Sequence, residues 1–171
     1  LPLLEPLEYR DVKRIREFVI AIDTSGSVAG EQVQAFLQKT CNILLSTDNF
    51  FKRVNIHIIQ CDAKIQEDIK ITSHEEFECY LQTMKIKGLG GTDFRPVFMR
   101  VDEMIHNKEF INLKGLIYFT DGYGVFPERM PAYKTAFVFV EEGYEIPEVP
   151  VWAMKLVLTK EDMEEMTGRE P

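Results

Sequence analysis

The sequence contains few of the residues on which many protein metal sites depend, with only three histidines and three cysteines among 171 residues. Cys41, Cys61 and Cys79 form no CxxC pair, and their odd number argues against a framework of disulfides. Because two of them stand among apolar residues, we interpret the cysteines as small buried hydrophobic groups in a reducing compartment.

Basic residues are also scarce: 20 Lys and Arg against 28 Asp and Glu give a net charge of -8. This balance argues against nucleic acid and against an anionic membrane surface as partners, because both require a basic face. No apolar run is long enough to span a bilayer, and residues 1–6 are too short and too soon charged for a secretory signal. We therefore expect a cytoplasmic protein, and the missing initial Met predicts a domain excised from a longer chain.

Several catalytic motifs are missing. His74 is followed by Glu78 where HExxH would need its second histidine. Asp23 stands where a GxSxG motif would need glycine before Ser25, and no P-loop is present. These absences argue against a metallopeptidase, a serine hydrolase and a nucleotide-binding enzyme within this chain.

The apolar residues, 45% of the chain, follow patterns that predict a globular α/β domain. Residues 65–71 alternate apolar and polar after a tight turn at 62–64, which favours an antiparallel edge strand. Ser73 and Glu76 form a capping box before a helix. Apolar runs predict further strands at 18–22, 54–61, 116–119, 136–140 and 151–158. Apolar residues at helical spacing predict further helices at 31–45, 95–105 and 161–166.

Strands that alternate with helices predict an open, doubly wound, mostly parallel sheet of Rossmann-like type, with one antiparallel edge strand and helices on both faces. We expect residues 1–14, which are rich in proline and charge, to be a lead-in segment, and residues 15–171 to be a single domain. Ligands of such sheets bind beyond the carboxyl ends of the strands.

Oxygen-bearing side chains follow two of the predicted strands. Asp23, Ser25 and Ser27 come directly after strand 18–22, Thr92 follows a glycine pair, and Asp121 follows strand 116–119. The strands ending at Asp23 and Asp121 are expected to be neighbours, with a switch of strand order between them. Two carboxylates and three hydroxyls suit a hard divalent cation, namely Mg²⁺, with Mn²⁺ or Ca²⁺ as alternatives.

The combination of DxSxS at 23–27, Thr92 and Asp121 resembles the metal-ion-dependent adhesion site (MIDAS) of von Willebrand factor A (VWA) domains, from about residue 17 onward. The segments at 90–96 and 119–127 more closely resemble those of bacterial VWA-like domains that lie at the C-terminus of predicted metallopeptidase-related proteins. This resemblance implies a non-catalytic, Mg²⁺-dependent protein-binding module. It also implies an upstream peptidase-like domain or an AAA+ ATPase as a partner.

The resemblance implies a role for each of these five residues. Ser25 and Ser27 would bind the cation directly, Thr92 would join in the ligand-bound arrangement, and Asp23 and Asp121 would act largely through water. Neutral hydroxyls leave much of the positive charge of the ion unbalanced, so an open position can accept an acidic side chain from a partner protein.

Four further residues are weaker candidates for the surroundings of the site. Asp62 is a turn former or a neighbour of the site, and Asp93 is a helix N-cap or a support for the metal ligands. Arg95 either holds its loop or steers an acidic ligand. Tyr123, with Val125 and Phe126, is either a half-buried loop residue or part of an apolar rim. His57, by contrast, is interpreted as structural because it lies between two isoleucines of a strand.

Two other functions remain open at this point. A Mg²⁺-dependent phosphohydrolase also uses aspartates at strand ends, but the acid/base Asp expected two residues after Asp23 is Ser25, and no lysine stands beside Thr92 or Asp121. The other alternative is a scaffold domain whose site is unoccupied.

Overall fold

The computed structural model describes residues 15–25, 30–46, 53–88, 90–120, 122–141 and 145–167. Two of the predicted metal ligands, Ser27 and Asp121, lie outside these described residues, as does the predicted lead-in segment 1–14.

Within the described residues the chain alternates strands and helices as predicted. The strands are β1 (Ile15–Asp23), β2 (Arg53–Cys61), β3 (Ile65–Ile71), β4 (Leu113–Thr120), β5 (Lys134–Val140) and β6 (Ala153–Leu158). The helices are α1 (Gly30–Ser46), α2 (His74–Thr83), α3 (Arg95–His106) and α4 (Lys160–Thr167). The last strand starts later than predicted because residues 151 and 152 form a turn closed by a hydrogen bond from Ala153 N to Pro150 O, 3.0 Å.

The sheet confirms the predicted architecture, with the strand order β3-β2-β1-β4-β5-β6. The pairs β2–β1, β1–β4, β4–β5 and β5–β6 are parallel, and β3 pairs antiparallel with β2 at the edge. The chain winds outward from β1 in one direction and from β4 in the other, so strand order switches between these two central strands. The expected crevice therefore lies at their carboxyl ends.

Both faces of the sheet are buried, which explains the continuous apolar run in β1. Ile20 and Ile22 join one core cluster with α1, α2 and α4, while Val19 and Ala21 join the other with α3. All four side chains are fully buried. A strand covered on both faces needs no polar alternation, and for this reason the run 18–22 could be recognised from the sequence. No helix among the described residues is long and apolar enough to cross a membrane.

The cysteines divide into two classes. Cys41 and Cys61 are buried, as predicted, and burial raises the pKa of each thiol to about 12. The prediction is wrong for Cys79, which is exposed. Cys79 lies on α2 outside the buried stripe of that helix, which consists of Phe77, Tyr80 and Leu81.

His57 is structural, and it is held between two carboxylates. It is buried on β2, with Nδ1 2.8 Å from Asp68 Oδ1 and Nε2 3.0 Å from Glu109 Oε1. Burial by itself lowers the pKa of His57, but the hydrogen bonds to Asp68 and Glu109 outweigh it and raise the pKa above the ordinary value. Lys70 and Arg100 bind the same carboxylates from outside, at 2.9 Å and 3.1 Å.

This arrangement predicts a pH-dependent stability. Because the pKa of His57 is raised in the folded state, its contribution is complete below the unfolded pKa of about 6.5 and is lost as pH rises through the folded pKa. The free energy of unfolding should therefore fall from near neutral to alkaline pH, and His57→Gln should flatten this fall. Denaturant unfolding across that pH range measures it, with His74→Gln as the control at an exposed histidine. Equal slopes for wild type and His57→Gln would contradict the prediction.

Candidate metal centre

Asp23 lies at the carboxyl end of β1 and is 1% exposed. Its Oδ1 accepts a hydrogen bond from the Ser25 backbone N–H at 2.9 Å, and its Oδ2 accepts one from Thr120 Oγ1 at 2.6 Å. Thr120 is the last residue of β4, so the Asp23 carboxylate ties together the ends of the two central strands. Both of its oxygens thus have a fixed orientation at the point where strand order switches.

The loop that carries Thr92 is bonded to the segments that follow two of the strands. On one side, Asp93 N donates to Asp62 O, at 3.1 Å, directly after β2. On the other side, Phe94 N donates to Val125 O, at 3.1 Å, in the segment after β4. Because β2, β1 and β4 are parallel neighbours, these bonds place the loop at the same end of the sheet as Asp23. The side chains of Ser25 and Thr92 are both half-buried.

Asp62 forms the turn after β2, as predicted, and it also anchors the loop that carries Thr92. Its Oδ1 accepts from Lys64 N and Gln66 Nε2, each at 3.0 Å, while its Oδ2 accepts from Gly90 N at 3.0 Å. Burial alone would raise the pKa of Asp62, but the hydrogen bonds from Lys64, Gln66 and Gly90 lower it overall.

Two of the glycines before Thr92, Gly88 and Gly90, lie so close to the Asp62 side chain that a Cβ atom would clash with it. Gly88 has a φ of +116°, and a Cβ there would lie 2.8 Å from Asp62 Oδ2 and 2.9 Å from Thr24 Oγ1. A Cβ on Gly90 would lie 2.8 Å from the same Asp62 oxygen, whereas Gly91 has open space. The glycines therefore let the backbone approach the Asp62 carboxylate closely.

We predict that Asp62→Ala loosens the Thr92 loop. The substitution leaves the N–H groups of Lys64 and Gly90 without their acceptor, and a typical intramolecular hydrogen bond contributes about 0.5–1.5 kcal/mol. Denaturant unfolding measures this cost, and amide hydrogen exchange should become faster at Gly90. Asp102→Ala, an exposed position on α3, is the control. Unchanged exchange at Gly90 would contradict the anchoring role of Asp62.

Asp93 and Arg95 bind each other. Asp93 Oδ1 accepts from both Arg95 N and Arg95 Nε at 3.0 Å, and its Oδ2 accepts from Arg95 Nη2 at 2.9 Å. These bonds to Arg95 lower the pKa of Asp93. Phe94 is the N-cap residue of α3 and makes no side-chain capping bond, but the Asp93 carboxylate accepts from the backbone N–H of Arg95, the first residue of this helix. Arg95 is thus bonded to the loop that precedes the helix.

The segment after β4 presents two apolar side chains beside this loop. Tyr123 is 64% exposed and Val125 is 46% exposed, while the Phe126 ring packs against Phe94, with centroids 5.0 Å apart. A Cβ on Gly124 would lie 2.7 Å from the Phe94 ring and 2.8 Å from Thr92 Cγ2. This segment is therefore packed tightly against the Thr92 loop, and Tyr123 and Val125 stand at its surface.

Asp23 and Ser25 thus lie together at the switch point, and the Thr92 loop lies at the same end of the sheet. Among the described residues, no group of three or more His, Cys, Asp or Glu could hold a metal ion. One buried carboxylate with partly exposed hydroxyls is instead a donor set for a hard cation, for which hydroxyl and water oxygens are suitable ligands. The sequence did not predict the hydrogen bond from the Thr120 hydroxyl to Asp23, although Thr120 directly precedes Asp121 at the end of a predicted strand.

Solved structures with the same fold come from distant proteins. Proximal thread matrix protein 1 (PTMP1) of the mussel byssus, solved with a zinc-occupied MIDAS motif, is 13% identical with a TM-score of 0.60, over 90% of this chain and 45% of that chain. The SpRpn10 VWA domain is 10% identical with a TM-score of 0.59, over 91% of this chain and 95% of that one. An aerotolerance-related membrane protein from Bacteroides fragilis is 10% identical with a TM-score of 0.56, over 91% and 100%. This chain thus spans less than half the length of the mussel protein.

The sequence itself places the chain in a family. No curated protein matches it at a significant level. Residues 18–159 match the family model described as "VWA-like domain (DUF2201)". The matched range begins within β1 and ends just after β6, so it includes the other four strands of the sheet. The chain therefore belongs to the VWA-like domain family DUF2201.

Proposed function

We propose that this chain is a non-catalytic protein-binding module that uses a MIDAS-type Mg²⁺ site formed by Asp23, Ser25, Ser27, Thr92 and Asp121. VWA domains are typically protein-binding modules. The observation that carries the proposal is the buried Asp23 carboxylate, fixed at the switch point at the same end of the sheet as the Thr92 loop.

The hydrogen bonds of Asp23 support an indirect role for this residue. Each of its oxygens already accepts one hydrogen bond, from Ser25 N–H and from the Thr120 hydroxyl. A water molecule could link this carboxylate to the ion, while the hydroxyls of Ser25, Ser27 and Thr92 serve as direct ligands. Mg²⁺ readily keeps several waters in its octahedral shell. The all-oxygen donor set favours Mg²⁺, with Mn²⁺ or Ca²⁺ as alternatives.

In this arrangement a bound metal would offer an electrophilic position to a carboxylate of the partner protein. Tyr123 and Val125 provide an apolar rim beside it, and Asp93 holds Arg95 in place at the start of α3. The resemblance to domains of predicted metallopeptidase-related proteins suggests a partner. An upstream domain of the same bacterial chain, or an AAA+ ATPase, would supply the acidic side chain. The free thiols of Cys41, Cys61 and Cys79 are compatible with a cytoplasmic setting.

We further propose that residues 15–171 act as one domain with residues 1–14 as its lead-in segment. The six-stranded sheet and its two core clusters already involve every described element, which supports a single unit.

Thr92→Val tests the proposal because it removes the hydroxyl and keeps the shape of the side chain. Partner capture by the wild type should occur in Mg²⁺ and disappear in EDTA, and Thr92→Val should lose capture in Mg²⁺. Thr83→Val, at the exposed end of α2, is the matched control and should behave as wild type. Capture by wild type that is equal in Mg²⁺ and EDTA would overturn the metal-dependent role.

A further inference from the structure

The end of the sheet opposite to Asp23 carries an apolar groove with a volume of about 870 Å³. Its floor consists of the amino-terminal parts of β1, β4 and β5 together with β6, and its walls are α1 and α4. Along β4 the groove reaches Ile117, which lies three residue steps, or about 10 Å at 3.3 Å per residue, before Thr120. None of the described residues of the candidate metal centre, Asp23, Ser25 and Thr92, lines the groove.

Large apolar side chains along this groove are open to solvent. Ile43 is 57% exposed, Met154 is 58% exposed and Leu156 is 51% exposed. Met154 and Leu156 have the same parity on β6 as Leu158, which packs against the α1 side of the core. The short helix α4 leaves these two residues uncovered. Contiguous apolar surface of this kind marks an interaction site.

Among the described residues that line the groove, the charged ones are all basic. These described lining residues include Arg16, Lys114 and Lys134 but no Asp or Glu, although the chain has a net charge of -8. These three cations stand at or near the starts of β1, β4 and β5, along one edge of the groove. Lys114 and Lys134 are exposed, and neither forms an ion pair within the described part of the chain.

We propose that this groove binds an acidic amphipathic segment of a partner protein. Apolar side chains of the segment would cover Ile43, Met154 and Leu156, and its carboxylates would face Lys114 and Lys134. A protein segment fits better than a lipid surface for two reasons. The groove is open to solvent, as in helix-in-groove recognition. A short acidic segment meets only the cations beside the groove, whereas an anionic membrane surface also faces the rest of a chain with a net charge of -8. The inference is independent of the metal site and goes beyond the proposed function.

Two peptides of opposite charge test the groove directly. A fluorescent amphipathic peptide of leucine and glutamate should bind the full chain saturably, and the peptide with lysine in place of glutamate should not. The double substitution Lys114→Glu, Lys134→Glu and the single substitution Leu156→Asp should each weaken binding at least about tenfold. A tenfold change corresponds to about 1.4 kcal/mol. Lys155→Glu, on the same strand with the opposite parity, is the matched control and should bind as wild type.

The expected binding persists in EDTA, which separates it from the metal-dependent function. Absence of saturable binding, equal binding of both peptides, or preferential binding to anionic vesicles would each overturn the proposal. So would binding that appears only after Leu3→Asp and Leu4→Asp, because the groove would then belong to residues 1–14 of the chain itself. Circular dichroism of each variant verifies that the fold is intact.

Discussion

Phe94→Ala is expected to lower the free energy of unfolding by about 3–5 kcal/mol, the range observed for fully buried phenylalanines. The Phe94 side chain is 0% exposed. Its ring centroid lies 4.9 Å from that of Tyr118, 5.0 Å from that of Phe126 and 5.3 Å from that of Phe137. The substitution therefore leaves a cavity at the junction of α3, the central sheet and the segment after β4. Denaturant unfolding measures the loss.

The same substitution should also reduce the stabilisation of the domain by Mg²⁺, because Phe94 follows Thr92 by two residues and packs against Gly124. Phe98→Ala is the matched control. Phe98 is also buried in this cluster, but it packs towards Tyr133 and Trp152, with centroids 6.5 Å and 5.8 Å away. It should lose similar stability and keep the response to Mg²⁺. A loss below about 1 kcal/mol for Phe94→Ala would contradict this account of the core.

Asp23→Asn is expected to lower the affinity for Mg²⁺ about 10–100-fold, the usual effect of removing an outer-shell partner of a metal. The amide keeps the shape of the carboxylate and can still accept from Ser25 N–H, so the fold should be retained. In the wild type, Mg²⁺ at 100 times its dissociation constant should add about 2.7 kcal/mol of stability. For a chain of this size that corresponds to a rise in Tm of about 5–10 °C.

Asp23→Ala separates the structural role of this residue from its electrostatic role. It removes the acceptor for the buried Thr120 hydroxyl and for Ser25 N–H, and leaving such groups unsatisfied costs about 1–3 kcal/mol even without metal. Asp23→Asn should therefore resemble wild type in EDTA and differ from it in Mg²⁺, whereas Asp23→Ala should be less stable in both. Identical Mg²⁺-dependent shifts in wild type and Asp23→Asn would contradict a metal role for Asp23.

The sequence was most informative where local pattern and tertiary environment agree. The uninterrupted apolar run of β1 predicted a strand buried on both faces, and the alternation of β3 predicted an edge strand. The apolar run of β1 ends at Asp23, which indicated the carboxyl end of the strand, since a strand buried on both faces is mostly apolar. A crevice for a ligand was therefore predicted beyond that end.

Long-range pairs were not accessible to the same reasoning. The bond between Thr120 and Asp23 joins residues 97 positions apart, and the bond from Gly90 to Asp62 spans 28 positions. The sequence around these residues does not specify such a hydrogen-bond partner, because the partner depends on which strands become neighbours in the sheet. The uncovered groove is a similar case, since the short α4 and the exposed side chains of β6 have meaning only in the assembled sheet.

Isothermal titration of Mg²⁺ into the wild-type chain tests whether this domain has the proposed metal site. We expect one saturable site at submillimolar to millimolar Mg²⁺, with affinity reduced about 10–100-fold in Asp23→Asn. Absence of any Mg²⁺ binding to the wild type at millimolar concentration would contradict it.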